Sequence, residues 1–326
     1  MKWIAPDYYS SFRCAASACR HTCCAGWEIG IDEETAEYYR TLPEPWRERL
    51  LSRIEEADGE YCFRLTADGR CPFLQPSGLC ELILSLGEEA LCQTCADHPR
   101  FRSFLSDRTE LGLGLCCEEA GRRILTRKEK LRLQCLADDG EAEKETDAEA
   151  AVLALRGKWI LQAQERELPV SERALRLAED CAQALPAFSE KEISFLLSLE
   201  RLEDSWRVRL EALRDPALSE MPRQTPETEL ALEQLLVYLL YRHVPDAENA
   251  EEAKDRARFA LYLWCLACRL FAASEKKNGT LSAEETVEIC RQLSSEIEYS
   301  DCNPAAIRAH LLTEKEGCLT ITQTEK

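Results

Sequence analysis

The sequence predicts a mainly α protein: a small, irregular, cysteine-rich α+β lobe that binds metal comes first, and an α-helical bundle follows. Three observations predict it. Eleven of the eighteen cysteines fall within the first 117 of 326 residues. The segments before residue 136 are short and mixed in period, and those after residue 149 repeat their apolar residues at helical spacing. The expected division is therefore a metal-binding domain at 1–136, an acidic linker or loop at 137–148, and a helical domain at 149–326. The linker sequence, ADDGEAEKETDA, is polar and has no hydrophobic period.

Element by element, Asp32 is placed to cap a helix that runs through Thr41, where Pro43 and Pro45 break it. A second helix is expected from Trp46 to Ala57. YCFRLT (61–66), RFRSFL (100–105) and ELGLGL (110–115) read as short strands, the last two joined by a turn at SDRT, and GEEALCQTC (87–95) reads as one or two helical turns. Beyond the linker, Leu175, Cys181 and Leu185 recur at near-helical spacing. Leu232, Leu235, Leu236, Leu239 and Leu240 form an apolar stripe, and periodic segments cover 251–273 and 283–298.

Composition excludes several classes. Acidic residues outnumber basic ones by 60 to 41 for a formal charge of −19, with no basic block, so a nucleic-acid partner is not expected. The longest apolar stretch, LYLWCLACRLFAA (261–273), is shorter than the roughly 20 residues of a membrane span and reads as a buried helix, so no membrane partner is expected. The opening MKWIAPDYYSSFRC shows no apolar leader, which makes a cytoplasmic location the expectation. In a reducing compartment clustered cysteines bind metal or do redox work more often than they form disulfides.

The cysteines are grouped: CAASACRHTCC from Cys14 to Cys24, then Cys62, Cys71 and Cys80, the pair Cys92 and Cys95, and the adjacent Cys116 and Cys117. Thiolate charge is not tolerated unpaired in an apolar interior, so converging cysteines call for a cation. Tetrahedral zinc takes four sulfurs and an iron–sulfur cluster also takes four. Only Cys92 and Cys95 have the Cys-x-x-Cys form of a zinc knuckle, and the remainder suits a cluster wrapped by irregular chain. Cys265 and Cys268 share a helix face with apolar neighbours and read as core.

Three segments carry a resemblance. DYYSSFRCAASACRHTCCAGWEIGID, GRCPFLQPSGLCELILSLGEEALCQTCADHPR and LGLGLCCEEAGRRIL resemble the flagellin lysine-N-methylase family, whose front belongs to a wider group of zinc- or iron-chelating proteins with a CxxCxxCC-type signature. The match covers residues 6–126. The resemblance implies a cytoplasmic enzyme that methylates lysine side chains of flagellin with S-adenosylmethionine and carries a 4Fe-4S cluster. It implies metal ligands at Cys14, Cys19, Cys23, Cys24, Cys71, Cys80, Cys95 and Cys117, enough for two four-sulfur sites or for one cluster with a surplus. Cys92 and Cys116 stand where the family often has serine. His98 stands where it has an aromatic residue, which makes His98 an extra ligand candidate, although a lone histidine is more often a surface or hydrogen-bonding residue. The segment after Cys117 reads EEA rather than proline-glutamate-alanine, and the second half is short for the family.

Motifs do not place the methyl donor. Cys19 and Cys23 begin a Cys-x-x-x-Cys-x-x-Cys spacing, but Gly26 occupies its third position, and no Gly-x-Gly-x-x-Gly loop is present. Methyl transfer needs a neutral lysine amine, whose reference pKa is about 10.4. Tyr8, Tyr9, Trp27 and Glu28, beside the first cysteine run, are the nearest candidates for a base or a desolvating pocket. Each is also an ordinary packing or surface residue. The alternative reading is a non-enzymatic zinc or iron–sulfur interaction protein, which accounts for the thiols equally well.

Overall fold

A computed structural model of the chain describes residues 1–57 and 59–323. It is mainly α, with a small α+β portion toward the N-terminus. The chain divides into two compact units: residues 13–101, and residues 1–12 together with residues 102 onward. This differs from the expected boundary at 136. The reason lies in β1 (Lys2–Pro6), which pairs with strands that come more than a hundred residues later and so joins the chain's start to the helical body.

In the unit of residues 13–101, β2 (Gly30–Ile31) leads into α1 (Glu33–Thr41), followed by α2 (Trp46–Leu51), β3 (Ile54–Ala57), β4 (Glu60–Phe63), α3 (Glu81–Leu86) and α4 (Gln93–Asp97). Asp32 caps α1 as expected: its carboxylate accepts from the Thr35 N–H at 2.9 Å. It also accepts from the Gln93 N–H at 2.8 Å, which ties the start of α1 to the start of α4. The helix expected from Trp46 to Ala57 stops at Leu51, because Ile54–Ala57 pairs antiparallel with β4 instead. Gly59, with φ at +85°, supplies the backbone conformation that the tight hairpin needs. The three strands lie in the order β2-β4-β3. Tyr39, Phe63 and Phe73 fill a small core beneath them, and the Tyr39 hydroxyl donates to the Ala90 carbonyl at 2.7 Å.

In the other unit, β1 is joined by β5 (Arg100–Phe104, entered from the first unit), β6 (Arg108–Leu113) and β7 (Leu133–Asp138), in the order β5-β6-β1-β7. β1 is parallel to β6 and antiparallel to β7. α5 (Glu118–Leu125) follows β6. The expected linker is shortened at both ends and kept at its centre: β7 extends to Asp138, residues 139–146 form no helix or strand, and α6 (Asp147–Ala163) starts behind a Thr146–Glu149 capping box. Then come α7 (Val170–Asp180), α8 (Glu190–Ser198), α9 (Asp204–Ala212), α10 (Pro226–His243), α11 (Ala250–Asn278), α12 (Ala283–Leu293) and α13 (Asn303–Gln323). α7 ends before Cys181, and Leu175 is exposed, so its buried stripe is Val170, Ala174, Leu177 and Ala178 rather than the expected Leu175, Cys181 and Leu185.

The leucine stripe of α10 is buried as expected, and α10 packs along α11, where Trp264 donates to the Leu232 carbonyl at 2.9 Å. By length and composition α11 could cross a membrane, but 94% of its apolar window is buried within the protein. Cys265 and Cys268 lie in that core.

β6 is anchored to the helices by a buried ion pair. Arg156 of α6 binds the Glu110 carboxylate through both terminal nitrogens, and its guanidinium lies 5.2 Å from the Tyr241 ring centroid. Removing one partner strands a buried charge, so Glu110→Ala is expected to cost about 3–5 kcal/mol, whereas Glu110→Leu combined with Arg156→Met should recover most of that loss. Urea denaturation of the single and double variants checks this.

Candidate functional site

The thiols of residues 13–101 gather on the small core. Cys71 and Cys92 are buried within it, and Cys24, Cys80 and Cys95 pack against it. Local backbone structure brings them there: the Cys71 N–H donates to the Cys24 carbonyl at 2.8 Å, a β-bridge joins Leu74 to Cys80, Cys80 precedes α3, and Cys92 precedes α4. The cysteines whose side chains are described are all free thiols.

Their protonation reflects mutual contact. A hydrogen bond from the Cys23 thiol outweighs burial and brings Cys24 down to about 7. The Cys95 thiol donates to Cys92, which lowers Cys92 and raises Cys95. Burial pushes Cys71 up to about 11 and raises Cys80 as well. Of the eight ligands implied by the resemblance, Cys23, Cys24, Cys71, Cys80 and Cys95 thus belong to one neighbourhood. Cys92, outside the implied set, joins them. Cys14 is exposed, its sulfur accepting from the Ala16 N–H at 3.3 Å, Cys19 is half-buried, and Cys117 belongs to the other unit as the residue before α5.

Among the described residues no three His, Cys, Asp or Glu side chains close around a point where a metal ion would sit. The donor set nevertheless fits a soft metal in kind, because several sulfurs share one buried region. His98 follows the last residue of α4. Its Nε2 is buried and makes no hydrogen bond, its ring centroid lies 5.9 Å from that of Trp27, and burial pushes it down to about 4, leaving it neutral at pH 7.

The four weak catalytic candidates do not assemble on one unit. Tyr8 and Tyr9 belong to the helical body, where the Arg127 guanidinium lies 5.6 Å from the Tyr8 ring. Trp27 and Glu28 belong to the thiol unit. The Trp27 indole donates to the Cys23 carbonyl at 2.7 Å, and Glu28 is exposed and interacts with the Cys62 thiol.

Sequence reading missed a buried polar network in the helical body. Glu298 ends a π-helical turn, Ser294–Glu298, that continues α12, and its side chain is fully enclosed. Its carboxylate accepts from Tyr238 at 3.0 Å, pairs with Arg242 at 3.1 Å and lies 2.7 Å from His243 Nε2. Tyr238 also receives the Leu115 N–H at 3.2 Å and Arg242 at 2.9 Å. The Arg242 guanidinium lies 4.7 Å from the Tyr299 ring centroid, and the Tyr299 hydroxyl bonds the Cys116 thiol. Burial opposes ionisation of Glu298, but Arg242 and His243 hold it down at about 2. Burial also lowers His243. The available signal was the glycine before the cysteine pair: a Cβ on Gly114 would lie 2.1 Å from the Tyr299 hydroxyl and 3.1 Å from Arg242.

The fold and the thiol core together define a mainly α protein that carries a thiol-rich insertion. Comparison with known proteins narrows this. The Lysine-N-methylase of Salmonella typhimurium is 32% identical over 136 residues, which cover 39% of this chain and 33% of that protein, and the Lysine-N-methylase of Salmonella choleraesuis matches to the same extent. The flagellar biosynthetic protein FliU of Salmonella muenchen is 32% identical over 136 residues, 79% of its length. The chain belongs to the flagellin lysine-N-methylase family. It spans about a third of the length of the two lysine-N-methylases it matches. No family model and no solved structure matches it.

Two outcomes are expected for the polar network. Gly114→Ala should destabilise the helical body by about 1–3 kcal/mol through overpacking, and Tyr299→Phe in the same chain should recover part of that, as thermal denaturation would show. Burial lowers His243 in the folded chain, so the unfolded chain takes up this proton more readily and stability should fall as pH drops through about 6.5. His243→Gln should flatten this slope in denaturation curves measured from pH 7 to pH 5.

Proposed function

We propose that the chain is a protein-lysine N-methyltransferase that acts on flagellin with S-adenosylmethionine, and that residues 13–101 hold a cysteine-ligated iron–sulfur cluster of the 4Fe-4S type, with zinc as the alternative metal. One observation carries the reading: in a chain that belongs to this family, thiols far apart in sequence meet on one small core. Cys24, Cys71, Cys80 and Cys95 would hold the metal, with Cys92 beside them. S-Adenosylmethionine, when bound, supplies an electrophilic methyl group. The free thiols fit a reducing compartment, the cytoplasm.

The demand on the protein is electrostatic. A formal charge of −19 draws a cationic lysine toward the surface, yet the same carboxylates favour its protonated form. Methyl transfer needs the nitrogen neutral, so a desolvating surface or a nearby cation has to offset that field.

Protein purified without oxygen should contain iron and sulfide and absorb broadly in the visible range. Cys24→Ala and Cys71→Ala should lose metal and protease resistance together, while Cys181→Ala and Cys265→Ala should keep the metal. Mass spectrometry of co-expressed flagellin should show methylated lysines with the wild-type chain and a loss of at least tenfold with Cys71→Ala. Persistent methylation by a metal-free variant would make the metal structural. No methylation of any flagellin by the wild-type chain would favour a non-enzymatic metal-binding protein.

A further inference from the structure

We propose that the outer edge of β7 (Leu133–Asp138) is a self-association surface. A second copy of this chain pairs antiparallel on it, β7 against β7 about a two-fold axis at Cys135, and doubles the four-stranded sheet.

The first observation is an open edge. β7 stands last in the order β5-β6-β1-β7, and five of its six residues are exposed, the apolar Leu133 and Leu136 among them. Such an edge offers a row of backbone N–H and C=O groups to another strand, and proteins commonly blunt it with charge or proline. From Leu133 to Ala137 the sequence LQCLA carries neither. The second observation is the order of charge along the chain. Lys128, Lys130 and Arg132 precede the exposed stretch, and Asp138, Glu141 and Glu143 end or follow it. All six are exposed, and no ion pair joins any of them to another described residue. In an antiparallel pair the residues before the strand in one copy meet the residues after it in the other. With the axis at Cys135, Arg132 faces Asp138 and Leu133 faces Ala137, each twice by symmetry, and the two lysines run beside the acidic segment. Parallel pairing in register would set each charge beside its like. The occupant is therefore a second copy, because this chain itself carries both signs in the order that antiparallel pairing needs.

The test uses the full chain under reducing conditions. Sedimentation equilibrium across the micromolar range should show a monomer–dimer equilibrium, and hydrogen exchange at rising protein concentration should slow at the amides of residues 133–138. Arg132→Asp and Asp138→Arg, both at exposed positions, should each weaken self-association by about tenfold or more while circular dichroism stays unchanged. An equimolar mixture of the two variants should associate again, since each supplies the charge that the other lacks, and so should the chain that carries both substitutions. A wild type that stays monomeric overturns the proposal and leaves the bulge at Leu136 as the device that guards this edge. A dimer that protects other amides, or that both charge reversals leave intact, also overturns it and puts the interface elsewhere.

Discussion

The parallel pairing of β1 with β6 is the constraint on which the rest of the architecture depends. Lys2, Trp3 and Ile4 stand opposite Arg108, Thr109 and Glu110, and parallel neighbours cannot be joined by a tight turn. The chain must leave after Pro6 and return for Arg108, and the thiol unit is built on that excursion. β7 then closes on the other side of β1, so the opening strand is held from both edges. The intervening residues 13–101 have a core of their own, which is the work of Tyr39, Phe63 and Phe73.

That core is small, and two of its buried members are cysteines. A neutral thiol packs as a small hydrophobe, whereas a thiolate in the same place needs a cation. The raised pKa of Cys71 expresses this choice, since burial favours the protonated, neutral sulfur. Gathering alone does not distinguish a metal site. Cys268 in α11 also senses Cys265 and Cys290, and all three are buried among apolar helix residues. The thiol unit differs in having an unsatisfied imidazole at the end of α4 and sulfurs supplied by loops and short elements rather than by continuous helix faces.

Helices were legible where their own residues settle the matter. The Asp32 cap, the leucines of α10 and the apolar run of α11 each carry their signal within a few turns. Strands β1 and β7 were not legible, because a strand is stabilised by its partner, and here the partners lie more than a hundred residues apart. β3 was misread as helix although the Asp58-Gly59 dipeptide signals a hairpin. At the site, cysteine spacing located the thiol neighbourhood but not its membership, since Cys92 enters it through the start of α4. The network around Glu298 was invisible for another reason: Tyr238, Arg242 and His243 look like an ordinary polar end of a helix until the π-helical turn brings a carboxylate against them.

The distribution of charge follows from the same packing. Among the described residues the acids buried as whole residues are Asp107, Glu110, Glu118, Glu233 and Glu296 and the bases Arg156, Arg173, Arg258, Arg269 and Arg291, five against five, and the enclosed Glu298 carboxylate is paired with Arg242. The described interior is therefore close to balanced and does not account for the formal charge of −19. The buried bases are all arginine, whose planar fork satisfies carboxylates and carbonyls together, as Arg173 does for Glu233 and the Ala163 carbonyl. A lysine that approaches this surface is attracted and held protonated by one and the same field. Any step that needs the amine neutral has to occur where carboxylates are already paired with arginine or where water is excluded.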